Sequence, residues 1–219
     1  MSYEGWEYGY VAGVLGALGY CVVNPVRGRM IGLAIGGIAS KPGPLSRAGD
    51  KWGEIAKALE GVGADLQKHV SDVPAKDWTA QDQEAFKGAV EMMVKNIDEG
   101  KNVHDDSGKI MHGMAELSFC GAVTSGAVGS LLIALTIYTI ATRGIPVVNV
   151  ASQATSEVAA TGAQVTIGGL VKKYGMAAGA AATVFTMVQA KQGELESKVT
   201  AMSANKEQVK QARIPLSNI

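Results

Sequence analysis

The polar and apolar positions of this chain are sorted into blocks rather than mixed. Tyr8–Pro25, Leu117–Thr142 and Tyr174–Ala190 contain no Asp, Glu, Lys or Arg, whereas Asp50–Lys109 is densely charged. Such sorting predicts two kinds of surroundings, water for one part and lipid or a large protein interface for the other. Within the charged block the pattern is helical. Trp52, Ile55, Leu59, Val62, Leu66 and Val70 recur at three- and four-residue steps, the single apolar stripe of an amphipathic helix that stops near Asp72. Beyond a short loop, Asp77 fits an N-cap. Phe86, Val90, Met93 and Ile97 share a face of the next helix, with Gly100 and Asn102 as candidate interruptions. Two stripes joined by a short loop bury themselves most readily against each other, so residues 45–117 are predicted to form an antiparallel helical hairpin.

Apolar blocks flank that hairpin. The first forty or so residues are punctuated by glycine and broken at Asn24-Pro25, and Lys41-Pro42-Gly43-Pro44 reads as a domain boundary. Gly9, Gly13, Gly16 and Gly19 lie on one side at helical spacing, and Gly9 and Gly13 make a GxxxG pair that permits close helix contact. Gly9, Gly13 and Gly16 are therefore the candidate interface for self-association into a homo-oligomer. Neither half of this region has the length of a spanning helix, which takes about 20 apolar residues.

Leu117–Thr142 does have it. Its first half is rich in Gly, Ala, Ser and Thr, and its second half carries Leu131, Leu132, Leu135, Ile137 and Ile140, the candidate membrane-insertion residues. Arg143–Pro146 ends it, and Val147–Gly162 is a partly β-branched connector. Val165–Ala190 is apolar except for Lys172 and Lys173, and Gly193–Arg213 predicts a final polar helix. The expected architecture is all-α. An apolar segment (1–41) precedes the amphipathic hairpin (45–117), and a membrane-capable transmembrane hairpin (117–191) and a polar helix with its tail (192–219) follow it.

Charge and composition narrow the function. Lys and Arg together number 20, as do Asp and Glu, so the chain lacks the basic excess that a nucleic-acid partner requires. Aromatic residues are only 5%, too few for base stacking. Cys21 and Cys120 each sit in an apolar block without a spacing pattern and read as buried thiols. The acidic start Met-Ser-Tyr-Glu-Gly-Trp-Glu does not fit a secretory signal. A membrane-associated protein, or one secreted without a cleavable signal peptide, is expected. His104-Asp105-Asp106 and His112 place no three metal ligands on one helical turn. No nucleophile motif, metalloprotease motif or phosphate-cradling glycine loop occurs. No catalytic residue, metal or cofactor is predicted, and the chain is expected to be non-enzymatic.

The stretch Asp77-Trp78-Thr79-Ala80-Gln81-Asp82-Gln83-Glu84-Ala85-Phe86 resembles the turn and second-helix start of the WXG100 (ESX-type) family. Members are helical hairpins with Trp-x-Gly at the turn and an Ala-Phe pair beyond it. Trp78 matches the tryptophan, Ala80 replaces the glycine, and Ala85-Phe86 falls at the family's distance. The resemblance covers about a third of the chain. It implies that Trp52, Trp78 and Phe86 pack the hairpin, with Trp78 and Phe86 largely buried, and that the partner is a similar hairpin. The family's type VII secretion signal, Tyr-x-x-x-Asp/Glu after the second helix, is missing there; Tyr3 and Glu7 fit the formula at the opposite end. Two functions are compatible with this layout. One is a membrane-active, pore-forming or toxin-like subunit that oligomerises and inserts an apolar hairpin into a lipid membrane. The other is a soluble or secreted scaffold whose apolar faces are buried by copies of itself or by a partner.

Overall fold

A computed structural model describes residues 3–72, 80–144 and 146–211. Among them are five helices and no strand: α1 (Tyr8–Tyr20), α2 (Pro25–Ile38), α3 (Pro42–Asp72), α4 (Ala80–Ala141) and α5 (Pro146–Gln211). The all-α expectation holds. The helices are longer than the local sequence suggests, and in each case a physical reason is visible. Pro42 and Pro44 begin α3 instead of breaking the chain, because a proline in the first turn lacks only an N–H that the helix would leave unpaired anyway. Gly100 sits inside α4 without interrupting it, facing the Leu59 side chain. The β-branched stretch 147–162 is helical within α5, since tertiary packing overrides a weak local preference. The break read at Asn24-Pro25 is a helix start: Asn24 caps α2, its Oδ1 accepting from the Arg27 backbone N–H at 3.1 Å, and Pro25 follows as the first helical residue.

Contacts divide the chain into two compact units, each assembled from distant pieces of sequence. The first comprises Met1–Lys51 and Gly108–Ala181. Within it α1 lies along α4 in the same direction, with Gly9 against Ala122, Gly13 against Ser125 and Gly16 against Gly129. Ala122, Ser125 and Gly129 are small too, so the two backbones approach closely; a Cβ on Gly13 would stand 2.7 Å from the Ser125 carbonyl oxygen. α2 turns back on α1, where Gly28 abuts Ala17 and Cys21. α5 passes Tyr20 at Ser156 and Tyr10 at Tyr174. Ile31, Ile35, Leu132, Ile167 and Tyr20 are the largest apolar side chains fully inside.

The second unit comprises Trp52–Ser107 and Ala182–Ile219. Trp52 stacks on His104 with ring centres 5.1 Å apart and also meets Phe185 of α5 at 6.1 Å. Further along, Glu60 pairs with Lys101 at 3.0 Å, Gly63 faces Ile97, and Lys191 of α5 reaches Glu99 at 2.7 Å. Ala56, Val94, Ile97 and Val188 are buried. A third helix thus meets the Trp52 end of the stripe read from residues 45–117, while Ile55, Val62 and Phe86 remain exposed.

Candidate functional site

A water-facing helix normally hides its large apolar residues and shows its polar ones. In the first unit the arrangement is reversed. Val11, Leu15, Leu18 and Val22 follow one another at helical steps along α1 and its end, all exposed, while Gly13, Gly16 and Ala17 are buried. On α2, Val26, Met30 and Leu33 are exposed, Leu33 at 78%. On α4 the exposed face carries Ile133, Ile137 and Ile140, and on α5 it carries Val150, Val158 and Val165. Single exposed hydrophobic residues are normal on any protein, but stripes on four helices are not.

Hydroxyl groups accompany the buried Ile31, Ile35, Leu132 and Ile167 inside the unit. The Tyr10 hydroxyl donates to the Ser118 carbonyl at 2.7 Å and meets the Tyr174 hydroxyl at 2.9 Å; Ser40 Oγ lies 2.9 Å from Tyr174 and 2.8 Å from Ser118 Oγ. Tyr20 pairs with Ser156 Oγ at 2.8 Å, and Thr142 donates to Ser152 at 2.9 Å. Arg27 pairs with Glu157 at 2.7 Å and donates to Thr161 at 2.8 Å. Beside these groups is a cavity of about 210 Å³, whose lining includes Asn24, Thr139, Arg143 and Ser156. At the other end of α1, Trp6 meets Phe119 edge-on at 4.8 Å and Tyr3 leans on the same ring at 5.5 Å.

The predicted insertion residues separate on this frame. Leu132 and Leu135 point inward, whereas Leu131, Ile137 and Ile140 are exposed, Ile137 at 63%. The apolar run of the sequence does not distinguish them, because all five are large and aliphatic. Gly9, Gly13 and Gly16, expected between copies of the chain, pack against α4 of the same chain, and Gly19 faces open space. No family model matches the sequence, and neither a curated protein nor a solved structure does.

Trp52, expected to pack the hairpin, is half-buried and lies against His104 and Phe185. Trp78 and Asp77 lie outside the described residues, and Phe86 is 39% exposed rather than largely buried. Cys21 is half-buried and Cys120 exposed, so the expectation of two buried thiols fails at Cys120, which lies on an outer face of α4. Lys172 and Lys173 are exposed. Among the described residues no three His, Cys, Asp or Glu side chains gather as metal ligands. His104 is engaged with Trp52, and His112 stands 3.4 Å from Asp50. In the second unit a groove of about 930 Å³ runs past Val70, Lys87, Val90 and Val94. The interior hydroxyls and the polar cavity were the features that sequence reasoning missed. Isolated Tyr, Ser and Thr residues in apolar runs were the only signal for them.

Proposed function

We propose that this chain is a non-enzymatic membrane-inserting protein whose first unit enters the lipid. One observation carries the reading: on that unit rows of large aliphatic side chains on four helices face outward, while the α1–α4 contact is made of glycine, alanine and serine, and bonded hydroxyls share the inside with Ile31, Ile35, Leu132 and Ile167. Close packing on small residues is how helices associate where the solvent is itself apolar. A buried hydroxyl that finds a partner within the unit adds hydrogen bonding where lipid offers none. α4 contributes the helix best suited to span, with an apolar window of mean hydropathy 1.8. Trp6, Tyr3 and Phe119 form an aromatic cluster of the kind enriched at membrane interfaces. The α1 and α2 segments are too short to cross alone and act as a buttress against α4. In the second unit, α3 and the start of α4 form the water-facing antiparallel hairpin, a reading supported by the paired positions Trp52/His104 and Gly63/Ile97.

Flotation with liposomes tests the proposal. Ile137 is exposed, so Ile137→Arg leaves the fold intact in detergent, but a charge in a spanning helix costs about 2.5–3.5 kcal/mol at its centre. The variant should lose most liposome binding and any dye release, while Lys95→Gln, at an exposed position in the second unit, should lose neither. A folded Ile137→Arg protein that floats like the wild type, or a wild type that forms a defined soluble oligomer without detergent, would transfer the apolar faces to self-association.

A further inference from the structure

We propose that the polar cavity of the first unit binds the phosphate of an anionic lipid headgroup. The inference rests on the membrane-inserting reading, which supplies the lipid. The cavity holds about 210 Å³, enough for a phosphate and part of its ester arm. Its lining includes three donor groups, set beside the Gln153 amide and the Glu157 carboxylate. The Asn24 Oδ1 is already engaged by the Arg27 backbone N–H, leaving the amide NH₂ to donate. Thr139 is 2% exposed and its hydroxyl has no partner among the described residues, although it lines the cavity. The Arg143 guanidinium has no carboxylate partner there either.

The remaining walls are satisfied already. Tyr20 and Ser156 bond to each other, and the Glu157 carboxylate is neutralised by Arg27 at 2.7 Å. Besides the Gln153 amide, the lining holds the Arg143 cation, the Asn24 amide and the Thr139 hydroxyl, a set that can meet an anion with several acceptor oxygens. Position adds to the argument. The cavity lies where α4 ends at Ala141 and α2 begins at Pro25, and on the membrane reading the end of a spanning helix lies at headgroup level.

The experiment compares flotation of the full-length protein on neutral phosphatidylcholine vesicles and on vesicles that also contain phosphatidylglycerol. Wild type should prefer the anionic vesicles. Thr139→Val, which changes no charge, should lower that preference by roughly tenfold, the worth of a hydrogen bond to a charged group, and Arg143→Gln should lower it at least as far. Thr139→Ser should restore it, which separates the lost hydroxyl from damage to packing. Arg29→Gln, exposed and outside the cavity lining, should have a smaller effect than either.

Equal binding of wild type to the two vesicles overturns the headgroup site while leaving membrane insertion standing. Binding to neither overturns both. A preference that falls with Arg29→Gln as much as with Arg143→Gln, and ignores Thr139→Val, overturns the site in favour of general surface charge. Inorganic phosphate is the remaining arm. Saturable phosphate binding, lost in Thr139→Val while the two vesicles bind alike, would assign the cavity to free phosphate and overturn the lipid.

Discussion

His104 combines an aromatic contact with an unmet polar demand. Its ring stacks on Trp52, and its Nδ1 is buried without a partner among the described residues. Burial lowers its pKa below the ordinary histidine value of 6.5. The fold therefore favours the neutral ring. The associated stability is present above about pH 6.5, the value in the unfolded chain, and is lost as the pH falls from there through the lower folded value. Glu99 has a separate window. Hydrogen bonding to Lys191 lowers its carboxyl below 4.5, so its contribution disappears only under more acid conditions. Urea melts of the second unit within the full-length protein, followed by Trp52 fluorescence against a background with Trp6 and Trp78 both changed to Phe, should thus weaken between pH 7 and pH 5. His104→Leu should flatten that slope, and an unchanged slope would assign the effect elsewhere. Phe86 offers a contrast. At 39% exposure, Phe86→Ala should cost well under the roughly 3–5 kcal/mol typical of a buried aromatic, a difference the same melts would read.

Helix α1 is held by what it lacks. Any side chain on Gly13 meets the α4 backbone at Ser125, whereas Gly19 has open space around it. Gly13→Leu should therefore separate α1 from α4 and lower the melting temperature in detergent, with a loss of about 1–3 kcal/mol or more from overpacking. Gly19→Leu should melt like the wild type, and equal losses in the two would remove the close contact from the account. The glycine stripe itself was legible from spacing, but its partner was not. Periodicity reports that a face is small without reporting what lies against it, and Ala122, Ser125 and Gly129 are too far along the chain to be paired with it by eye. Helix ends were also less legible than helix existence. Lys41–Pro44 carries a breaker's composition, yet its prolines fall in the one turn of α3 that tolerates them. The block 147–162, with its β-branched residues, continues as α5 because Ser156, Ala160 and Ala163 are buried among neighbours from other helices.

At the scale of the molecule, the segregation of charge visible in the sequence corresponds in part to the division into units, although the charge-free block Tyr174–Ala190 is shared between them. The unit with the reversed surface holds the charge-free blocks around Tyr8–Pro25 and Leu117–Thr142, and the other holds most of the charged stretch. What the sequence did not disclose is that each unit draws on α5 as well, since α5 looks locally like two unrelated segments. A thiol reporter tests the proposed location of the first unit. With Cys21 and Cys120 changed to serine, Ile133→Cys should react readily with a charged maleimide in the presence of urea. On vesicles it should be protected, and Lys95→Cys should stay reactive; equal labelling would place Ile133 in water. The reversed surface has one more consequence, for how such a chain can vary. Wherever lipid is the neighbour, valine, leucine, isoleucine and methionine are nearly interchangeable, because each presents a similar hydrocarbon face to a fluid that has no fixed shape. At Gly9, Gly13, Gly16 and Gly129 the neighbour is backbone, and even one methyl group has nowhere to go. In a library of random variants of this protein, the exposed bulky positions of α1 and α4 should then drift freely, and the bare glycines should be held constant.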